Sequence, residues 1–169
     1  MTISMYNASI PVLTRMLGNL ESILDKAIAH AAARKIDDAA VVEARLFPDM
    51  FTFARQIRVA TDMAKGAGAR LAGVEIPKFE DNEKTLAELK ARVAKAIAFL
   101  KTLTPAQIDG SEGKAIAFTA GKNSFNFNGL DYVQVWVLPN FYFHVATAYN
   151  LLRHGGVEIG KMDFLGKVQ

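Results

Sequence analysis

The chain has 169 residues, 51% hydrophobic and 22% charged, which suits one folded domain with a sizeable core and excludes a disordered polymer. Twenty Lys and Arg against seventeen Asp and Glu leave a formal charge of +3. No basic run interleaves with aromatics, so nucleic acid is not an expected partner, and the absence of cysteine removes disulfides, thiol catalysis and Cys-ligated zinc.

Residues 1–10 have no positive start or long apolar run, so they do not read as a secretory signal. From Ser4 to Ala33 apolar residues recur at three- and four-residue spacing, which predicts a long first helix bent or restarted near Pro11. Asn7 and Ser9 fit local capping there. Asp37 or Asp38 can cap a short turn over Ala39–Ala44. Pro48 suits the first turn of a second long helix, and Asp49 suits its positive end. Met50, Phe53, Ile57, Ala60, Ala64 and Leu71 continue its stripe. Gly66 and Gly68 should loosen its end, with Gly73 as the stop.

Asp81 is the expected cap of a third helix that faces Leu86, Leu89, Val93, Ile97 and Leu100 inward. Its Glu83, Lys84, Glu88, Lys90, Arg92, Lys95 and Lys101 read as a solvated face. Thr104-Pro105 starts a short turn. Ala115–Thr119 and Ser124–Asn128, joined by the turn residues Ala120–Asn123, predict a small β-hairpin packed on the helices. Tyr132–Leu138 could be a buried strand. Asn128 with Asp131 three residues on favours instead one helix, Leu130–His154, kinked at Pro139 and stopped by Gly155-Gly156. The tail is expected to wrap on the fold through Ile159, Met162, Phe164 and Leu165, then fray. No segment is apolar enough for a membrane span, no linker splits residues 1–169, and the expected compartment is the cytoplasm.

The last helix carries the most suggestive polar residues. Asn140, His144, Thr147 and Asn150 lie at i, i+4, i+7 and i+10, on one helical face. Buried, they need partners from other helices, water or a ligand. His144 reads either as a hydrogen-bonded core histidine beside Asn140 or Asp49, or as a pocket residue. Asp49, Arg55, Gln56 and Asp62 of the second helix could face inward; Arg45 could pair with Asp49, and Arg55 and Asp62 could share a face. Tyr6, Tyr142 and Tyr149 fit aromatic packing better than a cavity lining. His30 is expected to be exposed, and His154 to sit at a helix C-terminus. The candidate ligand pocket is therefore Asp49, Gln56, Asn140, His144 and Thr147. The phosphate-binding, dinucleotide, nucleophile-elbow and zincin motifs are all absent, so no cofactor is assigned.

Several stretches together resemble a family. They are residues 139–144 (PNFYFH), 148–157 (AYNLLRHGGV), 160–165 (GKMDFL), 5–12 (MYNASIPV), 45–50 (RLFPDM) and 70–73 (RLAG). The chain is similar to an uncharacterised bacterial and fungal family of the DinB-like superfamily. That resemblance implies an all-α, up-down-down-up four-helix bundle, commonly a homodimer. It also implies a divalent metal in many relatives, held by one histidine of the second long helix and an H-x-x-x-H in the last. Some relatives are thiol-dependent transferases or maleylpyruvate-type isomerases. Here His144 matches the second histidine of that motif. The first position is Asn140, and no histidine lies between His30 and His144. The implied metal site is thus degenerate, and no metal ligand set is assigned. Three readings follow: a small-molecule-binding or non-catalytic homodimer, an enzyme using His144 or an altered metal set, and an interface protein using the apolar Tyr132–Phe143 segment.

Overall fold

The computed structural model describes residues 3–167; the expected fraying of the tail falls on residues outside that range. Four long helices make the bundle: α1 (Met5–Arg34), α3 (Phe53–Ala72), α4 (Leu86–Lys101) and α7 (Leu138–His154). Short helices α2 (Asp38–Val42), α5 (Pro105–Ile108), α6 (Gly129–Asp131) and α8 (Lys161–Leu165) sit between or after them. The hairpin β1 (Ile116–Ala120) with β2 (Asn123–Phe127) precedes the last long helix.

Cross-helix contacts give the helix directions. Moving along α3, Thr61 meets Arg92 and Gly68 meets Leu100 and Leu103, so α3 and α4 run parallel. Asp25 of α1 meets Lys90, while Ile10 lies at the Gly68–Leu100 contact, so α1 opposes α4. Gln56 meets His144 and Arg70 meets Tyr132, so α3 opposes the last helix. This is the up-down-down-up order.

Parallel α3 and α4 require residues 73–85 to travel back along the bundle, and an extended segment there needs fastening. Ion pairs and carbonyl contacts supply it. Lys65 Nζ donates to the Pro77 carbonyl at 2.9 Å and pairs with Asp62 at 3.1 Å. Arg58 grips Glu83 through its carboxylate (2.8 Å) and its carbonyl (2.7 Å). Arg92, only 2% exposed, donates to Thr61 Oγ1, the Glu80 carbonyl, Glu83 and Asp62 at 2.8–3.0 Å, and also pairs with Asp81. Phe79 lies under both Lys65 and Arg92. Burial alone would raise the Glu83 pKa. Hydrogen bonds from Arg92, a backbone amide and Arg58 outweigh it and hold the carboxyl below its ordinary value.

Here the sequence expectation is corrected. Arg92 and Glu83 do not belong to a solvated face, and Asp81 does not cap α4. Thr85 caps it instead, in a reciprocal capping box with Glu88. Periodicity marks Arg92 as polar, and only the returning connection provides partners that let it be buried.

Other differences have equally local causes. α3 starts at Phe53 with Thr52 as cap, so Pro48 and Asp49 lie in the preceding loop. Gly66 and Gly68 do not loosen α3; they are buried within it. A methyl group at Gly68 would stand 2.6 Å from Leu103 Cδ1 and 2.9 Å from Leu100 Cδ2, so glycine permits the close α3–α4 approach. Ser4 caps α1, while Ser9 is buried and donates to the Met5 carbonyl. Gly73 ends α3 in the left-handed conformation, as expected.

Residues 129–154 are helical throughout, without the alternative strand, but the irregularity precedes Pro139. Tyr132–Val137 forms a π-helical segment. Pro139 has no N–H for the preceding turn, and widening the helix there accommodates the loss. The hairpin packs on this segment through Phe118, Phe125, Phe127 and Trp136, with the Phe125 and Trp136 rings 4.3 Å apart. Entry to α6 is tight: a Cβ on Gly129 would collide with the Ser111 carbonyl oxygen. The C-terminal wrap is held on α1 by Arg15 and Asn19, which donate to the carbonyls of Leu165, Lys167 and Phe164, and by the Lys26–Asp163 pair.

Arg92→Met would leave Glu83 and Asp62 without their shared cation. We expect it to lower unfolding free energy by about 3 kcal/mol, measured by urea titration. Arg92→Lys should recover only part, because an ammonium cannot span the same acceptors. Wild-type stability in Arg92→Met would mean that Phe79 packing and Arg58 alone hold the connection.

Candidate functional site

His144 stands in the middle of α7, facing the first turn of α3. It is 7% exposed, and its Nδ1 lies 2.6 Å from Gln56 Oε1. An amide oxygen only accepts, so Nδ1 carries the hydrogen and Nε2 is the lone-pair nitrogen. Among the described residues Nε2 has no hydrogen-bond partner. Gln56 is itself buried and donates to the Phe51 carbonyl at 3.4 Å.

Aromatic rings flank the imidazole. Phe51 lies parallel to it, with ring centres 6.2 Å apart, and Phe143 meets it edge-on at 5.2 Å. The Arg55 guanidinium lies over the Phe51 ring, 3.9 Å from its centre. Burial among apolar neighbours lowers the His144 pKa below 6.5, and no acidic side chain counters it. The imidazole is therefore neutral at pH 7.

The five candidate pocket residues separate here. Gln56 and His144 meet. Asn140 is turned along its own helix: its amide donates to the Trp136 carbonyl at 2.7 Å, at the junction of the π segment with α7. Thr147 donates to the Phe143 carbonyl at 2.7 Å. Asp49 is exposed in the loop before α3. Arg45 does not pair with it, donating instead to the carbonyls of Pro48 and Met50. Asn140 and Thr147 thus satisfy backbone carbonyls within one helix turn, a local use that i, i+4 spacing also permits. Arg55 and Asp62 do not share a site, since Asp62 belongs to the Arg92 network. Among the described residues, no three of His, Asp and Glu gather as a metal ligand set would.

Sequence reasoning passed over two features. Phe51 and Phe143 wall His144, and Phe143 remains 57% exposed. The outer face of the last helix, through Val135, Leu138, Pro139, Tyr142, Phe143 and Ala146, is half-buried or exposed. No Asp, Glu, Lys or Arg occurs between Asp131 and Arg153. The charge-free run was legible beforehand; which side of it faces outward was not.

Residues 5–165 match the profile of a family described as a domain of unknown function (DUF1993). Among solved structures the chain is similar to a DinB family member protein from Shewanella denitrificans. That structure is 37% identical, with a TM-score of 0.86, and the match covers 96% of this chain and 92% of that one. Among curated proteins none matches.

His144 titration should appear in stability. The unfolded chain takes up its proton near pH 6.5, the folded chain only at lower pH. The contribution is therefore complete above pH 6.5 and declines as the pH falls from there toward the folded-state pKa. We expect the melting temperature of wild type to fall across that window, and that part of the fall to vanish in His144→Gln. Identical pH profiles for the two proteins would show that His144 keeps an ordinary pKa.

Proposed function

This chain belongs to the DUF1993 family and has a DinB-like fold, and we propose that it acts as a non-catalytic homodimer whose ancestral metal position has become a structural contact. The observation that carries this reading is the Gln56–His144 hydrogen bond. The resemblance to the wider superfamily implies three histidine donors. Here the α3 side chain meeting His144, Gln56, is an amide, and Asn140 directs its N–H into a backbone carbonyl. Amide oxygens are poor ligands for zinc or nickel, and the remaining imidazole is one donor where three or four are needed. The residues present do not fit the group.

General acid–base use of His144 is also disfavoured. A histidine base gains from a carboxylate that orients it and stabilises the imidazolium; Gln56 orients without charge. The lowered pKa then reflects burial alone.

The homodimer reading rests on the outer face of the last helix. Val135 is 63% exposed and Phe143 57% exposed on a face free of ionised side chains. A two-fold contact sets a patch against its own copy, so a charge near the axis would meet its like. An uncharged apolar stripe is self-complementary in that sense, and exposed apolar surface of this kind marks association. A cytoplasmic setting accords with a cysteine-free chain in which no helix among the described residues is long and apolar enough to cross a membrane.

Sedimentation of the untagged protein at micromolar concentration should give a dimer. Phe143→Glu with Val135→Glu should shift it to monomer, weakening association roughly a hundredfold. A monomeric wild type would overturn the dimer reading. Separately, Zn²⁺, Ni²⁺ and Mn²⁺ should leave the melting temperature unchanged, whereas a near-stoichiometric metal that raises it would overturn the loss of the metal position.

A further inference from the structure

An apolar cavity of about 150 Å³ lies under α2, at the end of the bundle where α1 and α7 finish and α3 begins. Ala27 of α1, Val41 and Ala44 of the α2 region, Phe53 of α3, Leu152 of α7 and Gly155 just beyond it make its wall. It shares no residue with the Gln56–His144 contact. Its single titratable lining residue is His30, half-buried and without a hydrogen bond to any described residue. His30 also lines the adjoining surface hollow beside Arg34 and Glu158, so it stands between cavity and solvent.

We infer that this cavity binds a compact, uncharged ring compound bearing one hydroxyl group, with the ring inside the apolar wall and the hydroxyl on His30. This goes beyond the homodimer reading and does not depend on it. Three properties of the cavity select this ligand class. The first is size: an apolar cavity of about 150 Å³ is known to admit a benzene ring, while a nucleotide or sugar phosphate would not fit. The second is polarity. Water needs two or more polar partners to settle, and these walls offer almost none. A charged ligand would lose its hydration without gaining a counter-ion, since no Lys, Arg, Asp or Glu lines the wall. The third is His30, which supplies one hydrogen-bonding site at the mouth and so suits a single hydroxyl.

The outer wall also has the construction of a cover. α2 is a five-residue helix capped by Asp37. It is tied to α4 by Asp38, which accepts from the Leu86 amide at 2.9 Å, and to α3 by the Ala44 carbonyl, which accepts from the Phe53 amide at 2.8 Å. One side-chain tie and one backbone tie thus hold this short element over the cavity.

Phenol and toluene are the probes, used with the full chain and followed by ligand-observed NMR titration and thermal melting. We expect saturable binding of both, with phenol the tighter. His30→Ala should weaken phenol roughly tenfold and leave toluene unchanged. Ala44→Leu fills the space from the α2 side and should weaken both probes at least about tenfold while keeping the helical circular dichroism spectrum. Ala27→Met, at a buried lining position of α1, fills the same space from the opposite side, so a folded form of either variant decides the point. Absence of saturable phenol binding to folded wild type overturns the inference, as does binding undiminished in a folded filled variant. Equal effects of His30→Ala on the two probes overturn the assigned hydroxyl contact. The oligomeric state of the same samples reports on the dimer reading separately.

Discussion

The guanidinium of Arg92 anchors the topology. A four-helix bundle with two successive parallel helices needs a long connection that retraces the bundle, and irregular backbone leaves carbonyls to satisfy. Residues 73–85 solve this by delivering the Glu80 carbonyl and the carboxylates of Asp81 and Glu83 to one cation. Asp62 of α3 and Thr61 complete its shell. A buried ion pair is poor evidence of net stability, because desolvation opposes attraction. Its value lies in specificity: an α3–α4 pair set antiparallel by a short turn would leave Arg92 and Glu83 buried or exposed without each other.

The last helix shows how one proline shapes both backbone and surface. Pro139 removes a donor, the preceding turn widens to a π segment, and Asn140 lends its side-chain amide to the Trp136 carbonyl. Widening also re-aims the aromatic residues. Tyr132 and Trp136 turn toward the hairpin, where Phe118 and Phe125 cover them. Val135 and Phe143 are left outside. An exposed, uncharged face thus arises beside a well-covered one within a single helix.

His144 is where chemistry in a DinB-like bundle would be sought, and its neighbours are an amide and two phenyl rings. The Gln56 amide satisfies one ring nitrogen without bringing charge to it. The apolar cavity under α2 is a separate matter. It owes its existence to small side chains, Ala27, Ala44 and Gly155, at the junction of several elements. No pairwise interaction creates it.

Much of this protein could be read from residue order alone. The four long helices, the hairpin, the stop at Gly73 and the membership in a DinB-like family are local or pattern-borne properties; the starts of α3 and α4 were not. Periodicity, turn chemistry and motif spacing are written within a few residues of one another. What tertiary structure decided were the partners of polar residues. Arg92 and Lys95 are both cations on α4, three residues apart, yet one is buried and the other exposed. Asn140 and His144 share a helical face, yet one repairs its own backbone while the other reaches α3. Gly68 reads as a helix breaker until Leu100 and Leu103 press against it. A sequence states what each side chain can donate, accept or exclude; which neighbour receives it depends on segments tens of residues away, brought together only by the fold.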